Sequence, residues 1–174
     1  MKLEEAKTQF IQVWGTLGTD WGINRTMAQI HAVLLLSPKP LSMDQLMEEL
    51  SISRGNVNMN LRELIAWGLV RREIIPGERR EYFVGEKDIW EVAKCVMRER
   101  KKRELEPLKK TIDKLVKVTP DPTSEEYQTF INVTKDIQKI ADGVDTLLTR
   151  LTQVERSWFV EKIVHLFTTK KKRK

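Results

Sequence analysis

The chain has 174 residues, 40% of them hydrophobic and 32% charged, which is typical of a folded, soluble protein with one core or a small domain plus a helical element. No apolar stretch is long enough to span a bilayer, the N-terminal residues lack the apolar core of a secretory signal, and a lone Cys95 excludes an internal disulfide, so we expect a cytoplasmic protein. The net charge of +6 is weak evidence for a nucleic-acid partner, because residues 1–85 carry ten basic and ten acidic side chains and the final KKKRK supplies most of the excess.

Four short helices are predicted in the first part of the chain. Apolar residues at three-and-four spacing predict an amphipathic helix over residues 3–21, whose stripe is Phe10, Val13, Trp14, Leu17 and Trp21. Asn24 is predicted to cap a second helix that runs to about Leu36. Ser42 and Gln45 have the form of a capping box that opens a third helix, and Ser53 is predicted to cap a fourth.

A β-hairpin is predicted directly after the fourth helix. Gly68 stands where a left-handed residue would end that helix. Residues 69–75 and 80–84 are rich in β-branched and aromatic side chains, and a proline and a glycine lie between the two runs. Two helices joined by a tight turn and followed by a hairpin indicate a winged helix-turn-helix. The expected fold is mainly α, with a small hairpin wing and long N- and C-terminal dimerisation helices.

The second half of the chain is predicted to be helical. Pro107 is expected to kink or split the helix over residues 87–118, and Thr123 and Glu126 have the form of another capping box. Beyond it, apolar residues step by alternating threes and fours, which predicts a helix with one seam that packs against a partner helix, either continuous or broken near Gln153. The seam is Phe130, Val133, Ile137, Ile140, Val144, Leu147, Leu151, Val154 and Trp158.

The fourth helix carries residues of the types that read the DNA major groove. Arg54, Asn58 and Arg62 recur every four residues beside an aliphatic row. Arginine can bind guanine through two hydrogen bonds, asparagine can bind adenine in the same way, and free amides at a helix N-terminus suit a phosphate. Asparagine is a poor helix former, so three of them in five positions favour a role in binding. The predicted DNA-contacting set on this helix is Ser53, Arg54, Asn56, Asn58, Asn60 and Arg62.

The hairpin adds arginines that suit the minor groove. Arg71, Arg72, Arg79 and Arg80 surround its strands, and six arginines face three acids between residues 53 and 80. An arginine on a wing tip can enter a narrow A·T-rich minor groove, where the potential is most negative. Arg79 and Arg80 are therefore added to the predicted DNA-binding residues.

The segment QLMEELSIS, followed by RGNVNMNLRELIAWGLVRRE, resembles the GbsR branch of the MarR superfamily of bacterial regulators. The resemblance implies a homodimer whose N- and C-terminal helices interlock, and repression is the commoner outcome in that group. It also implies a wing Asp-x-Arg that positions the minor-groove arginine. Here Glu78-x-Arg80 stands in that place, and the added methylene leaves open which wing arginine enters the groove.

These observations divide the chain into four regions. Residues 1–23 form an N-terminal dimerisation helix, residues 24–85 the DNA-binding domain, residues 86–169 a helical dimerisation region that could also bind an effector, and residues 170–174 a basic tail. The expected partners are double-stranded DNA and a second copy of the chain, in the cytoplasm and on the nucleoid. No cofactor or metal is predicted, and no enzymatic residue set is evident, so an enzyme is not expected.

Two alternatives stay open from the sequence. A winged helix can serve protein contacts alone, and a DNA-organising protein would bind with little sequence preference.

Four tryptophans predicted in the dimer body could form a cage for a quaternary ammonium osmolyte, although core packing explains them more simply. These are Trp14, Trp21, Trp90 and Trp158.

Overall fold

The N-terminal helix α1 (Leu3–Asp20) packs on α2 (Arg25–Leu36) in a computed structural model that describes residues 1–20 and 22–154. The predicted helix is confirmed, and its buried residues are Ile11, Gly15 and Gly18. Of the predicted stripe, Phe10, Trp14 and Leu17 are half-buried and Val13 is exposed. A Cβ on Gly18 would lie 2.5 Å from that of Ala28, so the two helices approach closely through small residues.

The helix caps predicted in this region are confirmed. Asn24 accepts hydrogen bonds from the backbone amides of the first turn of α2. Ser42 and Gln45 form a complete capping box on α3 (Met43–Leu50), in which each side chain satisfies the backbone amide of the other residue. Ser53 caps α4 (Arg54–Ala66). Because these caps fix both helix starts, the orientation of α4 on α3 is set locally.

A small antiparallel sheet completes this part of the chain. Strand β3 (Tyr82–Gly85) lies between β1 (Leu41–Ser42) and β2 (Val70–Glu73), so the predicted hairpin has a third, two-residue strand that the sequence did not indicate. Leu41 pairs with Phe83, and Val70 pairs with Gly85. The winged helix-turn-helix fold is thereby confirmed.

Lys87 fastens the end of the sheet to the end of α2. Its ammonium donates hydrogen bonds to the backbone carbonyls of Leu34, Leu35 and Ser37, at 2.6, 2.8 and 2.6 Å. These carbonyls have no helical amide to bind, and a cation there also offsets the negative end of the helix dipole. Burial lowers the pKa of the Lys87 ammonium.

His31 is a polar residue within the apolar core of this region. The indole N–H of Trp14 donates to its Nδ1 at 3.3 Å, so its Nε2 carries the proton in the neutral ring. Burial, assisted by the charge of Lys87, lowers the pKa of His31 to about 4. The largest fully buried side chains among the described residues are Ile30, Leu34, Leu46, Val57, Leu61, Leu64 and Phe83.

By compactness the chain divides into two units, Met1–Cys95 and Val96–Lys174, and α5 (Ile89–Arg100) spans the boundary. A π-helical segment (Lys101–Leu105) follows and leads directly into α6 (Glu106–Leu115). Pro107 explains the segment, because its ring lacks an N–H and would clash with a carbonyl in a regular helix, while a wider turn relieves that clash. The predicted disturbance at Pro107 is therefore present as a π-helical segment within a continuous helical path.

The last described helix, α7 (Glu125–Gln153), begins one residue later than the predicted capping box implied. Ser124 caps it by accepting from the amide of Tyr127, whereas the Thr123 hydroxyl donates to Asp121. The prediction that Thr123 is the cap was therefore wrong, because adjacent hydroxyl residues compete for one role and local turn geometry decides between them. Val154, the last described residue, is extended.

Polar contacts hold α6 and the π-helical segment on α7. The Lys109 ammonium lies 2.8 Å from Asp142 and 2.7 Å from Asp145, and the Lys101 ammonium lies 2.7 Å from Asp145 and donates to Thr149. The pKa of the Asp145 carboxyl is lowered, most by the hydrogen bond from Lys101 and next by the hydrogen bond from Lys109. This cluster fixes which face of α7 is turned toward its own chain.

Candidate nucleic-acid interface

Helix α4 has one buried face and one outward face. Val57, Leu61 and Leu64 are buried where α4 packs on α2 and α3. The exposed positions of the helix are Arg54, Gly55, Asn58, Met59, Arg62, Glu63 and Ala66. The aliphatic row therefore anchors the helix and leaves a mixed polar surface free.

Asn58 and Arg62 are the predicted site residues that the structure leaves available. Both are exposed, and neither has a hydrogen-bond or ion-pair partner within the part of the chain that is described. Arg54 is exposed as well, but its guanidinium pairs with Asp44 of α3. Unpaired side chains of these types can offer all their donors to base edges or phosphates.

Asn60 does not lie on the outward surface. It is only 2% exposed, and its amide donates to the backbone carbonyl of Asn56 at 2.8 Å and to the Asn56 side-chain oxygen at 2.7 Å. This burial contradicts the placement of Asn60 among groove-facing residues: the 3.6-residue period turns it toward the body, where the carboxamide is satisfied within the helix. Asn56 is half-buried, and its side-chain oxygen accepts the hydrogen bond from Asn60.

The N-terminus of α4 and the wing carry the remaining predicted residues. Ser53 is exposed and uses its hydroxyl oxygen as the cap. In the wing, Arg71 pairs with Glu73 at 3.2 Å and Arg72 lies 3.6 Å from Glu81. These two arginines are partly neutralised along the strands.

The predicted minor-groove arginines differ in their surroundings. Arg79 is exposed and has no ion-pair partner among the described residues, whereas Arg80 lies 3.4 Å from a carboxylate oxygen of Asp44. Gly77 adopts a left-handed conformation (φ 87°) in the turn that precedes them. The tip of the wing therefore carries one unpaired arginine and one arginine tied to α3.

Three residues of this surface were missed from the sequence. Met59 is 56% exposed on the outward face of α4, where an apolar side chain can contact a thymine methyl group. Gly55 is exposed in the first turn, and Asp44 contacts two of the predicted arginines. Helical spacing from Arg62 could have identified Met59, but methionine in a helix usually indicates core.

The predicted tryptophan cage is only partly within the described residues. Trp14 is half-buried, stacks on Phe10 with ring centroids 5.3 Å apart, and uses its N–H on His31. Trp90 is half-buried on α5. Trp21, Trp158 and the basic tail lie outside the described residues, so the ligand site stays a prediction.

The predicted seam of α7 is solvent-exposed in the single chain. Its own chain covers a different row, in which Ile131, Thr134 and Ala141 are buried. The exposed row includes Ile140, of which 68% is accessible. Its other members with large exposed apolar surface are Phe130, Val133, Ile137, Val144 and Leu147.

Two kinds of site are not found in the described part of the chain. No group of three or more histidine, cysteine or acidic side chains there has the arrangement of a metal site. None of the described helices combines the length and the apolarity needed to cross a bilayer.

Comparisons with known proteins agree with this geometry. Residues 21–81, about a third of the chain, match the model described as MarR family. A solved structure described as a transcriptional regulator superposes with a TM-score of 0.55 and 19% identity, over 86% of this chain and 99% of that chain, which shows the shared fold. The transcriptional regulator Tm0710 from Thermotoga maritima matches over 83% and 94% of the two chains, with 18% identity and a TM-score of 0.38. No curated protein matches the chain. The family match covers the helix-turn-helix and the first strand of the wing. Membership of the MarR superfamily and of its GbsR branch stays a prediction.

Proposed function

We propose that this chain is a sequence-specific, DNA-binding transcriptional regulator whose α4 helix enters the major groove. The observation that carries the proposal is the outward face of α4, where Asn58 and Arg62 stand exposed and unpaired beside Met59 among the described residues. Arginine and asparagine supply hydrogen bonds to base edges, and an exposed methionine supplies apolar contact. The family match over residues 21–81 and the likeness to a transcriptional regulator support the same function.

The wing arginines are proposed to contact the neighbouring minor groove. Arg79 is the better candidate for insertion, because it is exposed and has no ionic partner in the described part of the chain. Arg54 is proposed to contact a phosphate, since the amides at the start of α4 and the Ser53 hydroxyl are adjacent to it in sequence. Arg80 is proposed to contact a phosphate as well, because it reaches the same carboxylate, Asp44, as Arg54 does. Asn60 is left out of the surface because it is buried.

The regulator is proposed to act as a homodimer. The exposed seam of α7 supports this, because a row of six apolar residues at heptad spacing is stabilised by packing against an equivalent helix. Two winged helix-turn-helix domains related by a two-fold axis would bind a pseudo-palindromic operator with half-sites about one DNA turn apart.

The outcome is proposed to be repression, on the strength of the family resemblance, in the cytoplasm and on the nucleoid. Any effector would act by binding one arrangement of the two DNA-binding domains better than another. A quaternary ammonium osmolyte is the proposed ligand class, and the tryptophans predicted in the dimer body supply its chemistry.

Operator selection from a random duplex pool with the full chain tests the function. Enrichment of an inverted repeat is the expected result, and a reporter placed behind that repeat would be repressed. No enrichment would favour a winged helix used for protein contacts, and binding without sequence preference would favour a DNA-organising protein. Repeating the selection with choline tests the effector, because a real effector changes the affinity for the operator.

A further inference from the structure

Two arginines of the proposed interface converge on one carboxylate. Asp44 Oδ1 lies 2.5 Å from a guanidinium nitrogen of Arg54, and Asp44 Oδ2 lies 3.4 Å from one of Arg80. The three residues come from the start of α3, the start of α4 and the segment before β3. They line a cleft of about 330 Å³, whose other walls are Ser42, Met43, Arg79, Glu81 and Phe83.

The position of Asp44 is fixed by elements that the chain builds strongly. Ser42 is buried and forms the capping box of α3, so the carboxylate two residues later is held at a defined place in the first turn. Ser42 also pairs with Tyr82 across the sheet, which brings the segment carrying Arg80 to the same place. Backbone geometry therefore brings Asp44 and the two arginines within reach of one another.

The geometry matches what a DNA phosphate would meet. A phosphate presents anionic oxygens to guanidinium groups as a carboxylate does, and it binds them with the same charge-assisted hydrogen bonds. Both arginines are 66% exposed and Asp44 is 44% exposed, so the ion pairs are solvent-screened and can be exchanged. Asp44 is the acid that pairs with both Arg54 and Arg80 in the free chain.

We propose that Asp44 is an internal competitor for the DNA backbone: it occupies Arg54 and Arg80 in the free protein and is displaced by a phosphate on binding. This inference rests on the proposed function. It assigns Asp44 the role of a residue that lowers attraction to any duplex. Operator and random duplex are bound by the same free protein, so the competition weakens both by a similar factor and leaves Asn58 and Arg62 to distinguish them.

Asp44 also has an ordinary structural role that the test must separate. An acid in the first turn of a helix is stabilised by the free amides there, so its removal can destabilise α3. A purely structural Asp44 would leave the salt dependence of DNA binding unchanged. Competition for two arginines changes that dependence, because the displaced carboxylate of the wild type takes up a cation on binding and the variant has no such carboxylate.

The experiment measures duplex binding by Asp44→Asn over a range of salt concentrations. We expect the affinity for random duplex to rise about threefold to tenfold at low salt, and the slope of log K against log salt to steepen by about one to two. Affinity for the selected operator should rise by a similar factor, because both complexes start from the same free protein. Glu48→Gln is the matched control, because it removes one negative charge from an exposed position of α3 that has no ion pair in the described region.

Three results would overturn the inference. They are an unchanged salt slope, a gain equal to that of Glu48→Gln, and a gain that persists in an Arg54→Ala, Arg80→Ala background. If Asp44→Asn melts early, Asp44→Ser, which retains a first-turn acceptor, is measured in its place with the same expected result. A wild-type chain that binds no duplex refutes the proposed function itself, whereas a binding wild type with an unaltered variant refutes only the role of Asp44.

Discussion

Helices α4 and α7 both bury one row of side chains and present another, but their outward rows differ in chemistry. Helix α4 turns arginine, asparagine and one methionine away from its anchoring aliphatic residues. Helix α7 turns a row of phenylalanine, valine, isoleucine and leucine away from the residues that it packs on its own chain. The two rows lie in different units, Met1–Cys95 and Val96–Lys174.

The difference indicates two different partners. A polar face with free hydrogen-bond donors gains little from burial against another protein, but it suits a charged, hydrogen-bonding surface such as DNA. An apolar row at heptad spacing leaves hydrophobic area in water, and a second copy of the same row removes it. We therefore propose that the first unit supplies DNA recognition and that the α7 row of the second contributes to pairing.

A charge placed in the α7 row tests most directly whether this row is the pairing surface. Ile140→Asp is expected to dissociate the dimer, because a carboxylate would be desolvated in an apolar seam. Operator affinity should fall about 100-fold, since two linked DNA-binding domains gain avidity that a single domain lacks. Light scattering and gel shift measure the two effects.

Asn132→Asp is the control for this change, because it adds the same charge at an exposed polar position of α7. It should leave both measurements unaltered. A dimer that survives Ile140→Asp would exclude the α7 row as the pairing surface.

The α4 face is tested by Arg62→Ala. Loss of a guanidinium that binds a base should weaken operator binding by about 1–3 kcal/mol and relax the preference at one base position. Fluorescence anisotropy against operator variants measures both. Arg100→Ala removes an exposed arginine that lies outside the proposed surface and should have little effect. Equal losses in the two variants would show that charge alone matters.

Acid should destabilise the first unit through His31. Its pKa is lowered to about 4 in the folded chain, so the unfolded chain binds a proton from about pH 6.5 downward and the folded chain does not. The free energy of unfolding should therefore fall as the pH drops from 6.5 to 4, by about 2 kcal/mol at pH 5. Urea unfolding at pH 7 and pH 5 measures it.

His31→Gln provides the reference for the pH experiment. A glutamine does not titrate, so the variant should lose less stability than the wild type between the two pH values. Parallel pH dependence in the two proteins would mean that His31 is not buried as a neutral ring.

The smallest effect is expected from Gly55→Ala. Nothing lies within 4 Å of a Cβ at this position, so the helix should gain about 0.5–1 kcal/mol of stability. Operator affinity should fall several-fold, because the methyl group would stand between the first turn of α4 and a phosphate. Thermal melts and anisotropy separate the two.

Gly143→Ala is the matched control for Gly55→Ala, since a Cβ there also meets no atom within 4 Å and the residue lies on α7. It should stabilise without weakening DNA binding. Undiminished affinity in Gly55→Ala would indicate that DNA does not approach the start of α4 closely.

Local signals in the sequence predicted most of the fold. Asn24, Ser42 and Ser53 cap the helices that they were expected to cap, because capping depends on residues within one turn. The hairpin followed from its β-branched runs, and the α7 row followed from its spacing. Strand β1 was missed because two residues carry no pattern, and its existence depends on pairing with β3.

The candidate site was predictable by residue type and less so by orientation. Arg54, Asn58 and Arg62 are exposed as their spacing indicated, whereas Asn60 is buried although it alternates with Asn56 and Asn58 in the sequence. The face that a helix residue occupies depends on which neighbours cover the helix, and those neighbours are distant in sequence.

The sequence by itself determined where α2, α3 and α4 start and where the wing lies, because caps and turns act over a few residues. Tertiary structure alone decided that α1 packs through glycines and that Asp44 meets Arg54 and Arg80. Those contacts join residues of separate elements, and their distances are set by how the elements pack and not by any local preference of the chain.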